Sequence, residues 1–184
     1  MSKLTLLSRV TMIGLNVVGS QANAANWSMN GSSCVPNDTS INDYFVTGGS
    51  VTHKANSLVL IILYCPVTAT WGSHKPNHLK MTYANNRPGS GTGPPTGGIG
   101  TASITAQLIR LVSSDGSLNF IGDPARGSEE TQTGKVTQSP LFSHSFDFKF
   151  SYYYVRVDIS RNDPTAFAKL FGVSLDCETC PSGD

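Results

Sequence analysis

The chain has 184 residues, with 13 lysines and arginines against 12 acidic residues and only 14% charged side chains. A net charge of +1 gives no electrostatic grip on DNA, RNA or anionic lipid. Low charge with abundant Gly, Ser, Thr and Asn suits a single extracellular all-β domain, long enough to bury a real core.

Residues 1–24 read as a secretory signal peptide. "MSKLTLLSR" is basic at Lys3 and Arg9, "VTMIGLNVVG" is a short apolar run, and Ala22 and Ala24 form an A-x-A cleavage site. The apolar run falls short of the roughly 20 residues a membrane span needs. The expectation is therefore a secreted, periplasmic or extracellular protein whose domain covers residues 25–184, with no membrane insertion after cleavage. Removing Lys3 and Arg9 lowers the basic count from 13 to 11 against 12 acidic residues, a net of −1. Three N-x-[ST] sequons, at Asn26, Asn30 and Asn37, have meaning only in a eukaryotic secretory pathway.

Export makes disulfides the default state of Cys34, Cys65, Cys177 and Cys180. Four cysteines allow three pairings, of which Cys34–Cys65 with Cys177–Cys180 is the first choice. The former would close a loop of about 30 residues, worth some 3–4 kcal/mol in the chain-entropy picture. The C-x-x-C at 177–180 has two sharper readings. A thioredoxin-type site needs a helix after the motif, and a zinc site needs two further ligands; the sequence supplies neither.

No segment sustains a 3.6-residue period, whereas several alternate with period two. The pattern predicts strands over residues 49–54, 57–67, 78–84, 101–113, 117–121, 141–149, 152–160 and 167–176, separated by turn clusters such as "SSDG", "IGDPARG" and "RNDPT". About eight short strands describe a two-sheet antiparallel sandwich of jelly-roll type. Residues 57–67 are apolar at nearly every position, as expected of a central strand covered on both faces. Within 101–113 the apolar phase changes from Ile104, Ala106 and Leu108 to Ile109 and Leu111, which predicts a β-bulge near Leu108. Residues 85–100 and 122–140 read as long polar or Gly/Pro-rich loops, and the second carries the paired carboxylates Glu129 and Glu130.

In "FDFKFSYYYVRVDIS" the phase assigns Phe146, Phe148 and Phe150 to the core, then Tyr153, Val155, Val157 and Ile159. Tyr152, Tyr154, Arg156 and Asp158 fall on the opposite face.

Signatures of catalysis are missing: there is no G-x-S-x-G, H-E-x-x-H, P-loop or EF-hand pattern. His74 and His78 are four apart, but Pro76 forbids the helix that would align them on a metal, so they read as solvated loop histidines. Asp147 and Asp158 would sit outward on neighbouring strands, where carboxylates usually serve solubility. No cofactor, metal or catalytic residue is predicted.

"YYVRVDISRND" followed by the last strand "FAKLFGVSLD" resembles the closing strands of jelly-roll carbohydrate-binding modules, and is similar to secreted bacterial β-sandwich proteins without an assigned function. The resemblance covers about a fifth of the chain. It implies exposed aromatic rings on a sheet face or in loops, often beside a structural calcium. Candidate rings are present, while no set of calcium carboxylates is recognisable.

The reading is a disulfide-clipped sandwich that binds rather than catalyses. Trp71, Tyr83, Tyr152 and Tyr154 are the candidate ligand-binding rings, each with core packing as its competing role. The partner is extracellular polysaccharide; the alternative is other copies of the chain, in a surface layer, matrix or appendage.

Overall fold

The computed structural model describes residues 27–69, 71, 75–86, 101–127 and 132–178. Period-two alternation becomes pleated strand in most of the predicted segments, and no α-helix occurs among the described residues. The elements are β1 (Trp27–Asn30), a 3-10 turn (Gly31–Ser33), β2 (Val35–Pro36), β3 (Tyr44–Thr47), β4 (Ser50–His53), β5 (Ile61–Val67), β6 (His78–Asn85), β7 (Ala102–Val112), β8 (Leu118–Arg126), β9 (Gln132–Gln138), β10 (Ser151–Arg161) and β11 (Ala168–Asp176).

Two antiparallel sheets result. The first has the order β3-β4-β11-β6-β9, with β1 also paired to β11; the second has the order β2-β5-β10-β7-β8. Among the described residues, only β3–β4 and β7–β8 are joined as simple hairpins. Every other connection crosses between the sheets, so each sheet is assembled from distant parts of the chain. The fold is an all-β two-sheet sandwich, as the sequence pattern implied.

The core lies between the sheets. Ile61, Leu63 and Cys65 from β5, Ile104, Ala106 and Leu108 from β7, and Val155, Val157 and Ile159 from β10 face Leu79, Met81 and Tyr83 from β6 and Leu170, Val173 and Leu175 from β11. The Cys34–Cys65 disulfide forms, bridging 31 positions and holding the two-residue β2 against β5. For the second expected pair, Cys180 lies outside the described residues.

Several expectations change. Residues 141–149 form no strand. They run extended past the sandwich, with Phe142, Phe146 and Phe148 half-buried against the core and a turn at 148–150. Alternation is thus present without a hydrogen-bonded neighbour, and Phe150, expected inside, is exposed. Conversely, the expected loop 122–140 contains the end of β8 and all of β9; Glu129 and Glu130 lie outside the described residues, as do residues 87–100.

The predicted bulge is real but belongs to the neighbouring strand. The β7–β10 register runs unbroken, whereas between β7 and β8 it shifts between Ala106 and Leu108, with the extra residues on β8. Gln107 fills the gap, its Nε2 donating to the carbonyls of Ile121 and Gly122 at 3.2 and 3.1 Å. Gly122 is required there: its φ is +64°, and a Cβ would stand 2.9 Å from that of Phe142. Because β7 keeps its phase, Ile109 and Leu111 lie on the outer face of the second sheet rather than in the core.

β5 is likewise not a strand covered on both sides. It starts only at Ile61, residues 58–60 form an exposed apolar loop, and Tyr64 and Pro66 point to that same outer face.

Candidate functional site

Side chains directly opposite each other in adjacent strands share a face, so the register spells out the outer surface of the second sheet. One row reads Pro66, Tyr154, Ile109, Phe120 across β5, β10, β7 and β8; the next reads Tyr152, Leu111, Leu118. On the other side of the first row come Val35, Tyr64, Arg156 and Gln107, then Ile62, Asp158 and Thr105. An apolar band therefore crosses the sheet with a polar border on one side. Fractional exposures of 66% for Tyr152, 70% for Phe120, 57% for Leu118 and 59% for Val35 leave these side chains open among the described residues, while Ile109 between them is buried at 3%.

At the β2–β5–β10 end the band sinks into an open cavity of about 520 Å³. Its walls include Tyr64, Pro66, Tyr152 and Tyr154, with Val35 from β2 and Phe148 from the extended segment. Tyr64 and Tyr154 meet edge to face, centroids 5.3 Å apart, an arrangement that fixes both rings. Burial, and then the neighbouring Tyr64, push the Tyr154 phenol above its usual range, so it stays a neutral donor and acceptor.

Arg156 and Asp158 point the same way, two residues apart on β10. Arg156 Nε donates to Asp158 Oδ1 at 2.8 Å, and this bond raises the Arg156 pKa further. It engages one nitrogen and one oxygen, leaving guanidinium and carboxylate capacity for other partners.

The expected candidates separate clearly. Tyr152 and Tyr154 come together on the cavity wall. Tyr153, between them, is core: its hydroxyl accepts from the Asp147 backbone N–H at 2.9 Å and lies 3.2 Å from His144 Nε2. Burial first, then Arg110 and Lys75, hold His144 below the usual histidine range, so its ring is neutral and able to accept the phenolic proton. Trp71 packs on Phe146 and Phe148 at centroid distances of 4.7 and 5.4 Å. It braces the segment that supplies Phe148 and does not itself line the cavity. Tyr83 is wholly buried, and a ring with no accessible surface cannot stack on an external ligand; its place on the inner face of β6 removes it from the site.

His78 is also buried, on the polar outer side of β6 beside Lys80 and Asp176, rather than in a solvated loop; His74 lies outside the described residues. Asp147 is not on a strand, so it forms no cross-strand pair with Asp158. Among the described residues no three His, Cys, Asp or Glu side chains gather as a metal set.

Sequence reasoning missed Val35, Tyr64, Pro66, Ile109, Leu111, Leu118 and Phe120. For the β5 and β7 residues the signal is apolar residues in both phases of a strand, in "LYCPV" and "IRLV", a pattern that two-sided burial and a bulge also produce.

No family model and no curated protein matches the chain. Among solved structures it is similar to a carbohydrate-binding module, CBM36, in complex with calcium and xylotriose, over 82% of this chain and 99% of that one, with 9% identity and a TM-score of 0.39.

Proposed function

We propose that the chain is a non-catalytic binding module of an oxidising, extracytoplasmic compartment, and that it holds extracellular polysaccharide on the outer face of its second sheet. The observation that carries this is the open apolar cavity walled by Tyr64, Tyr152 and Tyr154 beside the Arg156–Asp158 pair. A pyranose ring presents an apolar C–H face and a rim of hydroxyls. Tyrosine rings accept the face, and an ion pair with spare donors and acceptors orients the rim. The Cys34–Cys65 disulfide supports the compartment.

The test is affinity electrophoresis and pull-down on cellulose, chitin, xylan and mannan, run beside thermal melts. Tyr152→Ala is expected to weaken binding several-fold, as loss of about 1 kcal/mol of stacking implies, with an unchanged melting temperature. Tyr153→Ala is expected to destabilise by about 3–5 kcal/mol. Failure of the wild-type protein to bind any of these glycans would overturn the reading.

A further inference from the structure

The apolar band does not stop at the cavity. From Tyr154 it continues over Ile109 to Phe120, and from Tyr152 over Leu111 to Leu118. Ile109 is only 3% exposed although it lies on an outer face, so the floor between the strands is filled, while Tyr152 and Phe120 stand out at 66% and 70%. Strands are about 4.8 Å apart, which sets Tyr154 and Phe120 roughly 10 Å from each other across β7. Two ring positions thus flank a filled apolar floor.

We infer that Phe120 is a second stacking ring, and that the ligand lies across the strands from β10 to β8 as an extended chain of equatorially linked sugars. This rests on the glycan-binding reading. A β-1,4-linked chain is a ribbon with axial C–H groups on both faces, which suits a flat floor. A coiled or branched α-linked glucan offers no such face.

Two protruding rings about two strand spacings apart match a narrow, repeating ligand that meets them one after the other.

The experiment compares wild type, Phe120→Ala, Phe120→Trp and Tyr152→Ala on microcrystalline cellulose and chitin, on their soluble oligosaccharides from dimer to hexamer, and on amylose as the α-linked control. Phe120→Ala should lose several-fold in affinity for polymer and hexamer, bind the dimer as wild type does, and melt unchanged. Phe120→Trp should restore binding, and amylose should be ignored by all four. If Tyr152→Ala weakens binding while Phe120→Ala does not, the site ends at β10 and the crossing geometry is overturned, with glycan binding intact. A preference for amylose overturns the ribbon-shaped ligand in the same way. If the wild type binds nothing on the panel, both this inference and the reading beneath it fall.

Discussion

Arg161, at the end of β10, is nearly buried, and Asp163 is the carboxylate near enough to act on it. Its guanidinium donates to five backbone carbonyls: Nε to Ser57 at 2.7 Å, Nη1 to Pro164 at 2.9 Å and Ala166 at 3.2 Å, and Nη2 to Lys54 and Ala55. Burial lowers its pKa, but five acceptors keep it charged and tie the 54–57 loop to the 162–167 turn. Arg161→Ala strands those carbonyls and should cost about 3 kcal/mol or more. Arg161→Lys should recover little, because a lysine brings three donors without the planar fork. Urea midpoints measure both, and a lysine variant as stable as wild type would refute the role given to the fork. His53, close by, is buried with Nε2 2.9 Å from the Val59 carbonyl, and burial drops its pKa from 6.5 to about 4. Above pH 6.5 both states are neutral there. As pH falls the unfolded state takes up the proton first, so stability is lost between pH 6.5 and 4, about 2 kcal/mol of it by pH 5. Burial also lowers His78 and His144, adding in the same direction. Urea unfolding at pH 7 and pH 5 should show the drop, and His53→Gln should shrink it; equal slopes in the two proteins would assign the acid sensitivity elsewhere.

Among the elements, β2 is the most dependent on a single bond. Two residues long, it contributes Val35 to the cavity wall and is fastened to β5 by Cys34–Cys65. Replacing both cysteines with serine should cost about 3 kcal/mol, as expected for a loop of this size, and weaken glycan binding by loosening Val35. Denaturation and pull-down on the double variant read the two effects, and unchanged binding would separate β2 from the site. The sandwich class and the split of Tyr152, Tyr153 and Tyr154 between two faces were legible in the sequence because period two reports them directly, and Cys34–Cys65 was the first choice among three pairings that the cysteine count left open. The segment 141–149 was not: "LFSHSFDFKF" alternates like a strand, but alternation reports one buried face and is silent on whether a hydrogen-bonding neighbour exists. β9 was hidden for the opposite reason. An edge strand with exposed Lys135 and Val136 has no apolar period to detect. Tyr83 shares its period-two phase with Leu79 and Met81, so the alternation already carried the core role that competed with ligand contact there; the platform was missed because apolar residues in both phases imitate a central strand.

Over the whole molecule the two outer faces differ in kind. The first sheet shows water Ser28, Asn30, Lys80, Thr82, Lys169 and Ser174, with Lys80 Nζ 2.7 Å from Asp176 Oδ2 and the separate exposed apolar side chains of Phe45 and Val136 at its edge strands. The second shows the aromatic band. An uncovered apolar face can serve a ligand or a second copy, and the choice has a measurable consequence. A face that serves a glycan stays open in the free protein, so this reading predicts a chain that does not pair through it. Both edges of that sheet are also poorly suited to strand addition: β2 is two residues long and ends in Pro36, and β8 carries a bulge at Gly122 and a proline at Pro124, which interrupt an edge ladder. Light scattering behind size exclusion should therefore report a monomer at tens of micromolar, and Phe120→Ala should elute identically. A wild-type dimer that Phe120→Ala converts to monomer would hand the face to a second copy of the chain and make the protein a structural subunit. A monomer retarded on cellulose but not on an inert matrix, with the retardation lost in Phe120→Ala, keeps the face for the glycan.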